Sequence, residues 1–207
     1  YSSVELWKGP RTTLQPYILI YGIFLFPVAV YALAELRRMG LRWFVAATRS
    51  SGAWFEAALV IILTAIVAGA ALMFMGYEVI LVVAPMMALT LLALLRWRHE
   101  PIHQFVLVIV LMALALTFAV EVVVLKGDIG RMNTVFKFYL QAWIMLGIAS
   151  AVMIGWLAQT MRRWSRDWRE AVALAIIALI AAGLLYPILA THAKINDRFD
   201  VQVGPTM

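Results

Sequence analysis

The sequence predicts an all-α membrane protein, a polytopic bundle of about six transmembrane helices. Hydrophobic residues make up 65% of its 207 residues and charged residues only 14%, whereas a soluble domain is roughly half apolar and about a quarter charged. The apolar residues fall into six runs, each close to the roughly 20 residues that a membrane-spanning helix needs. No alternating strand pattern competes with these runs. This composition excludes a disordered chain, a nucleic-acid-binding domain and a water-soluble enzyme.

The six predicted spans form one transmembrane region. They are Tyr17–Leu36, Trp54–Met75, Tyr77–Leu95, His103–Leu125, Val135–Gln159 and Ala171–Ala190. Gly76 alone separates the second span from the third, which predicts a tight helical hairpin. The chain begins at Tyr1 and ends at Met207 without a recognisable terminus, so we expect a piece of a longer polypeptide.

The distribution of basic residues predicts the orientation. Ten of the 17 Lys and Arg fall in alternate loops on one side, and such loops usually face the cytoplasm. Both ends of the chain are therefore expected outside a cytoplasmic (plasma) membrane. One of the basic loops, MRRWSRDWR at residues 161–169, also carries Trp164 and Trp168. It is either a segment that binds anionic lipid head groups or an interfacial anchor.

A sequence motif typical of zinc proteases is present, but a proline within it argues against a zinc site. The residues from His99 to His103 read H-E-P-I-H and match the zinc-protease pattern, in which both His lie on one helical face. Pro101, however, is expected to begin the fourth span, because Pro is tolerated in the first turn of a helix and not in its interior. His99 and Glu100 would then lie outside the helix. Cys is absent, which excludes thiolate ligands.

The most informative polar stretch runs from Glu121 to Tyr139, on the predicted outer side. Ionisable residues near membrane depth are costly and usually face a cavity, a partner or a substrate. If a helix begins near Asn133, that residue caps it, and its N-terminus with Arg131 and Lys137 favours an anion such as a phosphate. Asp128 would orient Arg131 or bind a divalent metal ion; no cofactor is otherwise implied.

An alternative assigns the same charges to structure. Asp128–Arg131 and Glu121–Lys126 are both plausible salt bridges within a folded loop. The candidate residues for donor-phosphate binding are Arg131, Lys137, Asn133 and Asp128, with Glu121, Lys126, Asp197 and Arg198 as secondary candidates on the outer face.

Residues 127–143, GDIGRMNTVFKFYLQAW, resemble the Chlor_Arch_YYY family of large multi-pass membrane proteins. Residues 193–200, AKINDRFD, and residues 21–26, YGIFLF, are also similar to that family. The resemblance implies a later part of the membrane region of a longer protein that looks like a GT-C-type glycosyltransferase. Such enzymes use a polyprenyl-phosphate-linked sugar on the outer face, and their catalytic carboxylate usually lies in a first outer loop that this chain would lack.

Two functions follow. The first is a GT-C-like glycosyltransferase, whose partners are the lipid bilayer and the sugar donor. The second is a non-catalytic accessory or scaffold subunit, whose partners are other membrane subunits. A transporter is a third possibility and would need a charge deep within a span, for which Glu56 is the deepest candidate.

Overall fold

The computed structural model describes residues 3–49, 71–72, 74–97, 100–125 and 130–198. Four helices among these residues are long and apolar enough to cross a membrane, so the prediction of an all-α membrane protein is confirmed. In chain order the elements are β1 Val4–Leu6, α1 Leu14–Arg49, α2 Ile80–Arg96, α3 Pro101–Val122, β2 Val123–Leu125, α4 Gly130–Thr160, a 3-10 turn Met161–Arg163 and α5 Arg166–Arg198.

The first helix is longer than its apolar run. It begins at Leu14 and continues to Arg49, so the basic stretch after Leu36, expected as a loop, is helical. Leu, Arg and Met are good helix formers and no Pro interrupts them there. A run of basic residues is expected where a helix leaves the membrane, but these residues do not by themselves end the helix.

The predicted second span, Trp54–Met75, lies almost wholly outside the described residues, as does Glu56. The turn that follows it is described. Gly76 has a φ of 84°, a left-handed conformation that favours glycine, and the Tyr77 N–H donates to the carbonyl of Leu72 at 2.9 Å. The chain then enters α2, which is shorter than the other apolar helices.

The fourth helix of the sequence prediction needs correction at its C-terminal end. It begins at Pro101, as the proline predicts, but it ends at Val122 rather than Leu125. Residues Val123–Leu125 instead form β2, which pairs antiparallel with β1 in the register Val4↔Leu125. Three consecutive β-branched valines favour a strand once a partner strand is present.

The fifth helix begins earlier than predicted. Helix α4 starts at Gly130, so Asn133 lies inside the first turn and is not the N-cap residue. The three residues that precede Asn133 already have helical backbone, and this places Arg131 on the helix itself. The cap prediction for Asn133 is therefore wrong.

Residues 1–159 and 160–207 form two compact units. In the first unit, α2 packs against both α1 and α3, and the core includes Tyr17, Tyr21, Val28, Leu107, Leu114 and Leu146. In the second unit, α5 is almost entirely exposed, with only Val172 and Ile176 buried. The segment after Ala190, expected as an outer tail, continues this helix to Arg198.

Candidate functional site

A buried carboxylate organises one end of the first unit. Glu121 lies one residue before the end of α3, and only 1% of it is exposed. Thr12 donates its backbone N–H to Oε2 at 2.9 Å and its hydroxyl to Oε1 at 2.6 Å. The hydroxyl of Tyr139 lies 3.0 Å from Oε1, and Nη2 of Arg131 lies 2.5 Å from Oε2. We call Thr12, Glu121, Arg131 and Tyr139 the Glu121 cluster.

Arg131 binds the N-terminal segment as well as Glu121. Its Nη1 donates to the carbonyl of Pro10 at 2.9 Å, and its Nε donates to the carbonyl of Val120 at 3.3 Å. Its guanidinium carbon lies 5.6 Å from the centre of the Trp7 ring, within the range of a cation–π contact. Most of the donors of this side chain are therefore used inside the protein.

The cluster satisfies the requirements of a buried ion pair. Removing two charges from water costs several kcal/mol per ion, and attraction offsets this only when further hydrogen bonds satisfy the remaining atoms. Here Glu121 accepts from Thr12 and Tyr139 in addition to Arg131. The arrangement fixes three distant parts of the chain to each other: the segment before α1, the end of α3 and the start of α4.

Aromatic residues continue the cluster toward the centre of the unit. The rings of Tyr21 and Tyr139 meet edge to face with centroids 5.4 Å apart, and the hydroxyl of Tyr21 donates to the carbonyl of Tyr139 at 2.9 Å. Tyr17 pairs its hydroxyl with that of Thr117 at 3.1 Å. Each buried tyrosine in this group thus has a partner for its polar end.

A second carboxylate holds the same N-terminal segment. Helix α1 has no acidic residue in its first turn, yet the N–H of Leu14 donates to Oε2 of Glu78 at 2.9 Å. Arg11 donates to the carbonyl of Met75 at 3.0 Å and to the hydroxyl of Tyr77 at 2.8 Å. Unsatisfied N–H groups at a helix N-terminus favour negative charge. Glu78 is therefore a capping residue supplied from another part of the chain.

The structure places the predicted site residues in different parts of the molecule. Arg131 and Glu121 both belong to the Glu121 cluster, where they form an ion pair. On a helix with 3.6 residues per turn, Lys137 points about 120° and Asn133 about 160° away from Arg131. Both are half-buried. Lys126 and Asp128 lie outside the described residues, and Asp197 and Arg198 are exposed at the end of α5 in the second unit.

An apolar groove runs beside the Glu121 cluster. It has a volume of about 510 Å³, and Tyr139 belongs to both features: its ring lines the groove and its hydroxyl points to Glu121. The lining residues are Ile20 of α1 and Met132, Val135, Phe136, Tyr139, Leu140 and Trp143 of α4. The groove thus joins an apolar surface to a charged end of the bundle.

At the other end of α3, His103 lies in an aromatic stack. Its ring is parallel to that of Trp97 at 3.9 Å and to that of Trp156 at 4.0 Å. Glu100 precedes the helix with an extended backbone, and His99 lies outside the described residues. The helix begins at Pro101, so it includes His103 of the H-E-P-I-H motif and does not include Glu100.

Sequence reasoning missed the residues that complete the Glu121 cluster. Thr12 lies ahead of the first span, 109 residues from Glu121, and Tyr139 was not among the candidate site residues. One signal was available: a glutamate at the end of an apolar helix requires hydrogen-bond donors. That signal predicts that partners exist and does not identify them.

Comparison with protein families gives one match. The model of a family described as uncharacterized membrane protein (DUF2298) matches residues 1–146, which include the Glu121 cluster and every residue that lines the groove. Comparison with the curated proteins and with the solved structures gives no match.

Proposed function

The chain belongs to the DUF2298 family of membrane proteins, and we propose that it is the lipid-carrier-binding part of a GT-C-type glycosyltransferase in the cytoplasmic membrane. The substrate would be a sugar linked to a polyprenyl phosphate, used on the outer face. The observation that carries this proposal is the position of the groove, which shares Tyr139 with the Glu121 cluster. The resemblance to the Chlor_Arch_YYY family supports the same assignment.

The apolar groove suits the isoprenoid chain of such a lipid, and the charged end of the bundle suits its phosphate. An isoprenoid chain is apolar and would lie along Val135, Leu140 and Trp143. The phosphate would then sit at the start of α4, where the first N–H groups of the helix favour an anion. Lys137 and Asn133 would contact the phosphate there, beside Arg131, whose guanidinium already forms an ion pair with Glu121.

Glu121 itself is a positioning residue in this proposal. A general base needs a free lone pair within reach of the substrate proton, whereas both oxygens of Glu121 accept hydrogen bonds from within the protein. The resemblance to GT-C-type enzymes implies a catalytic carboxylate in a first outer loop, and we do not assign that role to Glu121. Asp128, the predicted ligand of a divalent ion, lies outside the described residues. Among the residues that the structure describes, no group of three His, Cys, Asp or Glu could hold a metal ion.

Photo-crosslinking tests the proposal directly. The full chain in lipid nanodiscs would be irradiated with a diazirine-bearing polyprenyl phosphate, and the labelled peptides mapped. We expect labels on Met132, Phe136 and Leu140, and a severalfold lower yield in Val135→Trp, which fills the groove. Ile148→Trp is the matched control, because Ile148 is exposed on the same helix and does not line the groove.

A second variant separates the head group from the tail. Lys137→Gln should reduce labelling by the polyprenyl phosphate and leave labelling by the uncharged polyprenol unchanged. Labels spread evenly over lipid-facing positions, with equal yields in the two tryptophan variants, would contradict the proposal.

A second candidate function rests on the internal pairing of Arg131. Because its donors are taken up by Glu121, Pro10 and Val120, the charged end can be read as purely structural. The chain would then be an accessory or scaffold subunit of a larger membrane assembly. Stoichiometric co-purification with other membrane subunits, without crosslinking of polyprenyl phosphate, would favour this function.

A further inference from the structure

The turn between α4 and α5 carries four exposed arginines within eight residues. They are Arg162, Arg163, Arg166 and Arg169. We call residues 161–170 the arginine segment. The candidate spans on either side end at Arg163 and begin again at Arg166. The segment therefore lies where the chain leaves one apolar helix and enters the next, at the surface of the bilayer.

Only one of the four arginines is neutralised by a neighbour. Nε of Arg166 lies 2.7 Å from Oε1 of Glu170, and this pair is itself exposed. Within the part of the chain that the structure describes, Arg162, Arg163 and Arg169 have no carboxylate at ion-pair distance. Three guanidinium groups thus have no ion-pair partner at one turn, and the segment as a whole, with Asp167 and Glu170, carries a net charge of +2.

The local backbone keeps these groups together. The carbonyl of Met161 accepts the N–H of Trp164 at 3.1 Å, and the carbonyl of Ser165 accepts the N–H of Arg169 at 3.1 Å. The first bond closes the 3-10 turn and the second begins α5, so only Trp164 and Ser165 separate the two helical pieces. Trp168, 63% exposed, adds an amphipathic ring of the kind that sits at the level of lipid head groups.

We propose that the arginine segment is a binding site for anionic phospholipid head groups, independent of the proposed groove ligand. The planar guanidinium matches a phosphate with two parallel donors, and three such groups favour a lipid that bears net negative charge over a zwitterionic one. Each juxtamembrane positive charge contributes about fivefold in affinity for an anionic surface, so a net charge of two contributes roughly 30-fold.

The test is a lipid titration of the full chain, purified and delipidated in detergent, followed by native mass spectrometry. Detergent removes membrane orientation as a variable. Phosphatidylglycerol is expected to bind at least tenfold more tightly than phosphatidylcholine at low salt, and the preference should shrink at high salt because exposed charges are screened.

The variant Arg162→Gln/Arg163→Gln/Arg169→Gln should lose the preference for phosphatidylglycerol. Its matched control is Lys194→Gln/Arg198→Gln, which removes two charges from the other end of α5, about 40 Å away along the helix, and should keep the preference. Circular dichroism checks that each variant is helical. If the triple variant does not fold, Arg163→Gln alone should lose about fivefold. Equal preference in wild type and folded variant, or an equal loss in the control, would overturn the proposal.

Discussion

Two glutamates, one at each end of the first unit, are equally buried and differently partnered. Glu121 and Glu35 are each 1% exposed. Glu121 draws its donors from Thr12, 109 residues away, and from the start of α4. Glu35 pairs with Arg38, three residues further along the same helix, at 3.0 Å.

The difference shows that burial alone does not define what a charged residue does. Arg38 keeps 35% of its side chain exposed, whereas Arg131 keeps 13%. Water can therefore solvate Arg38 when its partner is lost, and it reaches Arg131 much less. The Glu121–Arg131 pair joins separate elements, whereas the Glu35–Arg38 pair lies within one helix and is not the only interaction of Glu35.

The largest effect is expected from Glu121→Gln. This substitution leaves Arg131 without its counter-ion in a mostly buried site, which costs about 3 kcal/mol of unfolding free energy. Unfolding in detergent measures the loss, and hydrogen exchange should show earlier exposure of residues 4–12. Glu170→Gln, in an exposed pair, is the control and should change stability by less than about 0.5 kcal/mol. If the Glu121→Gln protein were as stable as the wild type, with unchanged hydrogen exchange, the cluster would have no structural role.

His103→Ala is expected to have the next largest effect, at the opposite end of α3. It removes a ring stacked between Trp97 and Trp156, and two such contacts contribute about 2 kcal/mol together. The two indoles should also change their fluorescence emission. His103→Phe, which keeps an aromatic ring, should recover most of the stability; if it behaves like the alanine variant, stacking is not the source of the effect.

Tyr139→Phe is expected to cost about 1 kcal/mol, because it removes one hydrogen bond to Glu121 and keeps the ring. Its combination with Glu121→Gln measures the coupling of the two side chains. Tyr186→Phe, at a fully exposed tyrosine, serves as the control. Additive losses in the double variant would mean that the two residues act separately.

Glu35→Gln should cost less than Glu121→Gln, because water can solvate Arg38 after the pair is lost, whereas Arg131 is mostly buried. The measurement is the same detergent unfolding, made beside Glu121→Gln. A loss as large as that of Glu121→Gln would show that exposure of the partner does not set the cost, and the contrast between the two ends would fail.

The apolar spans and the start of α3 could be predicted because their signals are local. Pro101 fixes a helix start through its own ring, and runs of about 20 apolar residues need no partner to be recognised. The strand at Val123–Leu125 and the contact of Glu121 with Thr12 depend on residues more than 100 positions earlier. The valine run carries a local preference for a strand, but only pairing with Val4–Leu6 decides it against the helix.

The same distinction between local signals and contacts made in the folded protein applies to the predicted site. Charge at membrane depth singled out Glu121 and Arg131, and their role as a binding site stays a prediction. They were not predicted to pair with each other, because the helix start was expected near Asn133 rather than at Gly130. Helix phase then separates Lys137 from Arg131. A helix start three residues earlier includes Arg131 in the helix and so fixes its direction relative to Lys137, and sequence patterns rarely locate helix ends that closely.

The pairing of β1 with β2 has a consequence for how the protein is made. Leu125, the partner of Val4 in the register, is synthesised about 120 residues later. At roughly 5–20 residues per second, the ribosome takes on the order of ten seconds to produce it. During that interval the leading strand and Thr12 have no carboxylate and no strand to bind. Their docking is therefore a late step of biogenesis, completed only after α3 has entered the membrane.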